Sequence, residues 1–491
     1  MEDAKGAPRA AAGGRRAQGA RGVLRRLRYL AARHAVLLVA AAAALATMAA
    51  VPPDGAYLGY LDLRTLGCLF GILAVVAALR HLGVFERAAR EVVDRFATCR
   101  GAVAALVGAT LLLSMVATND MALLMMLPLA AATLLEAGWA RALPVTFVLQ
   151  NLAANLGGMI LPFGNPQNLY LYERFAIPLG DFLATMALPF AVSVALIAAC
   201  CALLVPATRK EGAAAEGEAA EAEGVIADAR PAEGEAAAVK AEGTAAEAEG
   251  AAAAAGAARP AEGAAVPACA AAPPEPSSRK AAGDARTADA RPAPPAPGGQ
   301  AVPAILPSRR ARALVCLALL ALMVASVLRL VPWPAAVAAV VAVLAVLDRR
   351  ALAQVDYGLL LTFTCFFVFA GNMARIPAVV DALAPLMASC GLWVSAGASQ
   401  VISNVPAAVL LSHFTSDWAP LLVGVNVGGA GTLVASLAGL ITFSHYRSVR
   451  ALFARSGPAA LPRTRVFLGW FTALGLAFLA VLLAASALAL G

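Results

Sequence analysis

A chain of 491 residues that is 61% hydrophobic and 14% charged has too little polar surface to enclose its apolar residues, since soluble domains carry about 25% charged residues. That excludes an ordinary soluble globule and predicts an all-α polytopic membrane protein. The net charge of +8 does not point to nucleic acid. The arginines cluster beside apolar runs, at 15–34, 348–351 and 445–455, with no basic face interleaved with aromatics. Such flanks are the positive-inside pattern of cytoplasmic loops.

In chain order, residues 1–34 form a basic segment expected in the cytoplasm. The apolar run 35–51 has the flanks of a secretory signal, but further apolar runs follow closely, so it reads as a retained first span. A second run covers 63–80. The charged, amphipathic stretch 80–100 is expected on the cytoplasmic membrane surface. Runs 101–117 and 121–135 are short and separated by Thr118-Asn119-Asp120, which predicts a re-entrant hairpin of two half-helices. Runs 142–162 and 182–205 complete a first transmembrane repeat over 35–205.

Residues 206–310 are rich in Ala, Glu, Gly and Pro with few large apolar side chains, the composition of a disordered tether. A second repeat over 311–491 contains runs at 312–331, 334–347, 357–372, 383–411, 420–443 and 465–490. Arginine placement and span parity put the N-terminus and the tether in the cytoplasm and the C-terminus outside.

The halves repeat one another. Asp62 and Asp356 each open a span and read as helix caps. Asn119 after Thr118 matches Asn404 after Ser403, and NLGG from Asn155 matches NVGG from Asn426. An odd number of intervening spans turns one copy over, giving an inverted-topology repeat whose site lies where broken helices meet. Unwound backbone at membrane depth is tolerated only when buried or lining a wet cavity. Gly157, Gly158, Gly164 and Pro166 permit the first break, and Gly428 and Gly429 the second. Asn165, Gln167 and Asn168 supply neutral donors and carbonyl oxygens there.

Among the candidate ligands, Asp120 is the sharpest. A carboxylate at membrane depth costs about 2.5–3.5 kcal/mol on insertion scales, so it reads either as a cation or proton carrier or as the N-cap of the following helix. Asn119, Asn155, Asn404 and Asn426 read as substrate or ion contacts. Thr118, Ser403 and Thr432 are weaker, because hydroxyls often bond back to their own helix. Eight cysteines without a CxxC and four histidines without ligand spacing predict no metal centre and no cofactor. HExxH, GxSxG and Walker A motifs are missing from the sequence, which argues against an intramembrane hydrolase and against ATP drive.

The stretches TNDMALLMMLPL, NLGGMILPFGNPQNLYLY, ISNVPAAVLLS and NVGGAGTLVASLAGLITF resemble the ion transporter superfamily. That group includes citrate and dicarboxylate transporters, arsenite efflux permeases and a class of sodium–proton antiporters. The resemblance covers both apolar halves and not the tether. It implies two inverted repeats, each with a re-entrant hairpin and a broken helix. It implies a secondary transporter of the cytoplasmic membrane, moving a small carboxylate or inorganic oxyanion by alternating access with sodium or protons as coupling ion. Sodium–proton exchange and arsenite or antimonite efflux are the alternatives. It places substrate, and sodium, near Asn119, Asp120 and Asn404, and a homodimer is common in the group. The dicarboxylate branch has Ser-Asn-Thr at each tip; Asp120 and Val405 stand here in place of its threonines.

Overall fold

A computed structural model describes residues 35–93, 95–209, 308–456 and 461–490. The basic segment 1–34 and all but the first and last few residues of the 206–310 tether lie outside the described residues. The described chain is built from helices, with no strand beyond one isolated bridge between Thr98 and Arg209. Nine helical stretches among these residues are long and apolar enough to cross a membrane.

The first half contains α1 (Ala35–Ala50), α2 (Leu63–His81), α3 (Val84–Val93), α4 (Cys99–Val116), α5 (Asn119–Glu136), α6 (Leu143–Gly157), α7 (Pro166–Arg174) and α8 (Leu179–Leu204). The second contains α9 (Arg309–Val327), α10 (Trp333–Leu347), α11 (Arg349–Ala353), α12 (Tyr357–Met373), α13 (Pro377–Ile402), α14 (Asn404–Leu411), α15 (Trp418–Gly428), α16 (Leu437–Ser456) and α17 (Thr464–Leu490).

Local sequence explains many of the boundaries. Asp62 caps α2 by accepting from the Thr65 amide at 3.0 Å, and Asp356 caps α12 by accepting from the Leu359 amide at 2.9 Å. Each side-chain oxygen satisfies an amide that has no partner within its own helix. Prolines open α6, α7, α10 and α13, where a missing N–H costs nothing. In α3 the apolar Ala89 and Val93 are buried and Arg87 and Arg90 are exposed, as an amphipathic surface helix requires.

The arms on either side of Asn119 are longer than half-helices. Both α4 and α5 run 18 residues, about 27 Å at the helical rise. In the second half the arms are unequal: α13 has 26 residues, kinked at Cys390, and α14 has eight. The difference arises because the apolar pattern marks where a helix is greasy, whereas its length is set by where the backbone next loses a hydrogen-bond partner.

The helices fall into two contact groups. In one, α2 packs on α9, α10 and α11, and α1 packs on α12. In the other, α4 to α8 interleave with α13 to α17, α6 packing on α16 and α17 and α14 on α7. Polar pairs mark the two ends of the bundle. At one end His81 meets Asp348 at 2.8 Å and Arg309 donates to the Leu82 carbonyl at 2.7 Å. At the other end Arg375 meets Asp54 at 2.7 Å, and Glu173 lies between Arg64 and Arg329. The end of α8 and the first residues of the tether are fixed to the base of α4, Arg100 Nε donating to the Val205 carbonyl at 2.9 Å and the Cys99 amide to the Thr208 carbonyl at 2.8 Å.

Candidate functional site

Two helices are interrupted in mid-course. The α-helical course of α6 ends at Gly157, continues through one 3-10 turn over Gly158–Ile160 and resumes as α-helix at Pro166; the chain leaves α15 at Gly428 and resumes α-helix at Leu437. Both gaps, 158–165 and 429–436, are eight residues long, and both follow Asn-x-Gly-Gly.

The glycines explain how each hairpin reaches its break. A Cβ on Gly157 would sit 2.6 Å from the Leu111 carbonyl oxygen of α4 and closer still to Ser114 Oγ; on Gly428 it would sit 2.8 Å from Ser399 Cβ of α13. The first glycine of each pair thus lets the leading hairpin arm lie directly on the broken helix. The second receives the tip. A Cβ on Gly158 would meet Asn119 Oδ1 at 2.7 Å, with Asn165 Oδ1 closer still, and on Gly429 it would meet Asn404 Nδ2 at 2.9 Å. Ser114 and Ser399 each precede their tip asparagine by five residues, so the correspondence extends into the arms.

The tips differ in detail. Asn119 and Asp120 open α5 behind Thr118, whose side chain makes no cap bond. Asp120 is therefore the second residue of the helix rather than its N-cap, and its charge lies in the first turn, where a carboxylate complements the helix dipole. Ser403 has φ +70°, a left-handed conformation that costs a non-glycine residue about 1–3 kcal/mol and persists where surrounding structure imposes it. Here the Asn404 amide donates to the Ala435 carbonyl at 3.0 Å, binding tip to break.

A network of carboxamides joins the parts. Asn119 Nδ2 donates to Asn155 Oδ1 at 3.2 Å, and Asn155 Nδ2 donates to the Asn151 carbonyl at 3.1 Å. Asn165 Nδ2 donates to Asn426 Oδ1 at 3.4 Å, and Asn426 Nδ2 donates to Asn168 Oδ1 at 2.6 Å and to the Leu422 carbonyl at 2.8 Å. Asn168 Nδ2 reaches the carbonyls of Gly158, Met159 and Leu161 at 3.3, 3.0 and 3.2 Å, covering acceptors that the first break leaves without helical partners. All these asparagines are buried. Two oxygens, Asn119 Oδ1 and Asn165 Oδ1, converge on Gly158 and have no hydrogen-bond partner among the described residues. A buried acceptor left unpaired costs about 1–3 kcal/mol, so an incoming donor or cation would relieve both.

The sequence-derived candidates are therefore brought together unevenly. Thr118, Asn119, Asn155, Gly157, Gly158, Asn165 and Asn168 surround the first break, and Ser403, Asn404, Asn426, Gly428 and Gly429 the second, with Asn426 also bonded to Asn165 and Asn168. Gln167 is buried in the first turn of α7, outside the asparagine network. Thr432 is held at its amide, donating to Gln400 Oε1 at 2.8 Å.

Gln400 is the residue that the sequence reading missed. Its Nε2 donates to the Gly428 carbonyl at 2.7 Å, so one side chain ties the start of the second break to its middle. Its only sequence signal is a lone amide one turn before Asn404 in an otherwise apolar helix. Thr442, whose hydroxyl donates to Asn151 Oδ1 at 3.4 Å, adds a further link between halves. Among the described residues, no group of His, Cys, Asp and Glu could hold a metal ion, and the seven described cysteines are free.

Buried amides, interrupted helices and nine apolar spans among the described residues together define a multi-pass membrane protein with a polar centre. A family model for citrate transporters matches residues 29–439, and the chain belongs to that family. It is 25% identical over 392 residues to the inner membrane protein YbiR of Escherichia coli, covering 78% of this chain and 79% of that one. It is 47% identical over 90 residues to an uncharacterized transporter of Methanocaldococcus jannaschii, a match spanning 18% of this chain and 25% of that relative. The family is one of transporters, not enzymes.

Proposed function

We propose that the chain is a secondary carrier that moves a small anion, a carboxylate of the citrate type or an inorganic oxyanion, across the cytoplasmic membrane by alternating access. On this reading the pairs α4–α5 and α13–α14 are re-entrant hairpins of two inverted repeats. The polar end pairs support the inversion. The α4 arm starts at the His81–Asp348 end, and the α13 arm starts just beyond Arg375, at the opposite end.

The observation that carries the reading is the convergence at the two breaks. In each half the tip asparagine lies over the second glycine of Asn-x-Gly-Gly, and Asn165, Asn426 and Asn168 join the halves. An anion would be held by amide N–H groups and by the N-terminus of α5, which carries about half a positive charge. The unpartnered oxygens of Asn119 and Asn165 accept rather than donate, which favours a coupling cation, sodium or a proton, beside the anion. Uptake of an anion against a 100 mV interior-negative potential costs about 2.3 kcal/mol per charge, which coupled cations offset. The N-terminus and tether are cytoplasmic, and the C-terminus is outside.

A thermal-shift screen of citrate, dicarboxylates, sulfate, arsenite, sodium and lithium tests the reading on the wild type and on Asn119→Ala. A carboxylate or oxyanion that stabilises the wild type, more strongly with sodium or at lower pH, and loses its effect in the variant is the expected result. Stabilisation by sodium alone, with sodium-driven pH change in vesicles lacking any anion, would establish sodium–proton exchange instead. Asp120, a carboxylate in the first turn of α5, is the feature that favours that second reading.

A further inference from the structure

On the reading that the carrier alternates between two arrangements, we infer that Glu173, held between Arg64 and Arg329, is a latch that pins the site-bearing helices against α2 and α9. Glu173 is the penultimate residue of α7, and its side chain is only 4% exposed. Arg64 in the first turn of α2 places Nε 2.9 Å from Glu173 Oε2, and Arg329 just beyond α9 places Nε 3.7 Å from the same oxygen. Arg329 is itself fixed, donating from Nη2 to the Tyr172 carbonyl at 2.8 Å with its guanidinium 4.8 Å above the Tyr172 ring.

The carboxylate is thus held by charge more than by hydrogen bonds. The Arg64 contact is out of line for an N–H bond, and Glu173 Oε1 has no partner among the described residues. A buried ion pair is stable only while its geometry offsets desolvation. With one oxygen unsatisfied, the hold on Glu173 rests on the two guanidinium charges.

The location gives the cluster its role. Both arginines belong to the helix group of α2 and α9. Glu173 belongs to α7, which packs on α14 and α15 of the site-bearing group and also touches α2 itself. Between the groups lies an open apolar groove of about 420 Å³, lined by Val116, Leu161 and Phe163 on the site side and by Leu320, Val324 and Leu328 on the other. Along the groove the two groups make no direct side-chain packing with each other, so little dispersion holds them there, and Arg329, adjoining Leu328, fastens them at one end of it.

The test is thiol labelling of Ala325→Cys, a residue lining the groove, in the full chain with its native cysteines replaced. Labelling is run in lipid nanodiscs with a water-soluble maleimide and with neither anion nor ion gradient. Release of the latch predicts labelling about tenfold faster in Glu173→Gln and in Arg329→Gln. The double variant should be no faster than either single one, and the charge-keeping Arg329→Lys should stay within about twofold of the parent. Unchanged rates in a folded Glu173→Gln, or rates in the double variant equal to the product of the two single effects, would overturn the inference. If Glu173→Gln fails to fold, Arg329→Gln, at a more exposed position, decides alone. Because no substrate is present, faster labelling in a chain that moves no anion removes the carrier reading and leaves the latch. Transport with unchanged labelling does the reverse.

Discussion

The two breaks are the same length and follow the same Asn-x-Gly-Gly, yet they are closed by different means. The first is closed from within, Asn168 at its far side reaching back to the carbonyls of Gly158, Met159 and Leu161. The second is closed from outside, by Gln400 on the hairpin arm. Nine residues after the asparagine, the first break needs Gly164, whose Cβ would run into the Gly158 backbone; the second has Ala435, whose carbonyl accepts from Asn404. The backbone problem is shared, because each gap strands amides and carbonyls that must find partners. The solution differs between the halves: the carbonyls of the first break are covered by Asn168 from its own far side, and the second break is held by Gln400 on the preceding helix.

The sharpest way to break this comparison is at Asn426, which serves both halves. Asn426→Ala should cost about 2–4 kcal/mol, since it strands the Asn165 amide and the Asn168 oxygen, and should abolish ligand-induced stabilisation. Asn155→Ala removes partners only within the first half and should cost about half as much; unfolding midpoints in detergent measure both. An equal loss from the two would show that Asn426 has no role across the halves.

The glycine difference comes next. Gly164→Ala forces a methyl against fixed backbone, an overpacking that costs about 1–3 kcal/mol. The reciprocal Ala435→Gly adds only backbone freedom and should cost about 1 kcal/mol or less. A larger loss from Ala435→Gly than from Gly164→Ala would mean the breaks are not built on different constraints.

Gln400→Leu should cost about 1–2 kcal/mol, since it removes two hydrogen bonds at a partly exposed position. It should also raise hydrogen exchange at 429–436 while leaving 158–165 unchanged. Exchange rising in both segments would show that the breaks are not closed independently.

The smallest effect is expected far from the breaks. The hydrogen bonds that Arg375 donates to Asp54 hold that exposed carboxyl below its ordinary value. A lowered folded value means the stabilisation is complete above the ordinary carboxylate pKa of about 3.9 and fades as pH falls through the folded value. Arg375→Ala should therefore change the unfolding midpoint slightly at neutral pH and not at all once Asp54 is protonated, and the neutral-pH effect should shrink with added salt.

The amides that the structure brings together at the breaks were legible in the sequence, because an amide in an apolar run is costly unless it finds a partner. Asn119, Asn155, Asn404 and Asn426 stand out for that reason, and the paired glycines mark where two backbones approach. Asp62 and Asp356 were readable as caps because capping is local. Gln400 was not readable, since its partners Gly428 and Thr432 lie 28 and 32 residues away. The cluster of Arg64, Glu173 and Arg329 was hidden for the same reason: its members come from α2, α7 and the turn after α9.

What the sequence determined by itself is the class of molecule and the places where its helices must fail, because hydropathy, glycine and proline act over a few residues of backbone. Only the tertiary structure decided which amide answers which carbonyl, that Asn426 rather than Asn155 joins the halves, and that Asp120 stands inside the first turn of α5 rather than capping it. Those outcomes depend on distances between segments far apart in the chain, and no local property of a residue encodes the distance to a partner on another helix.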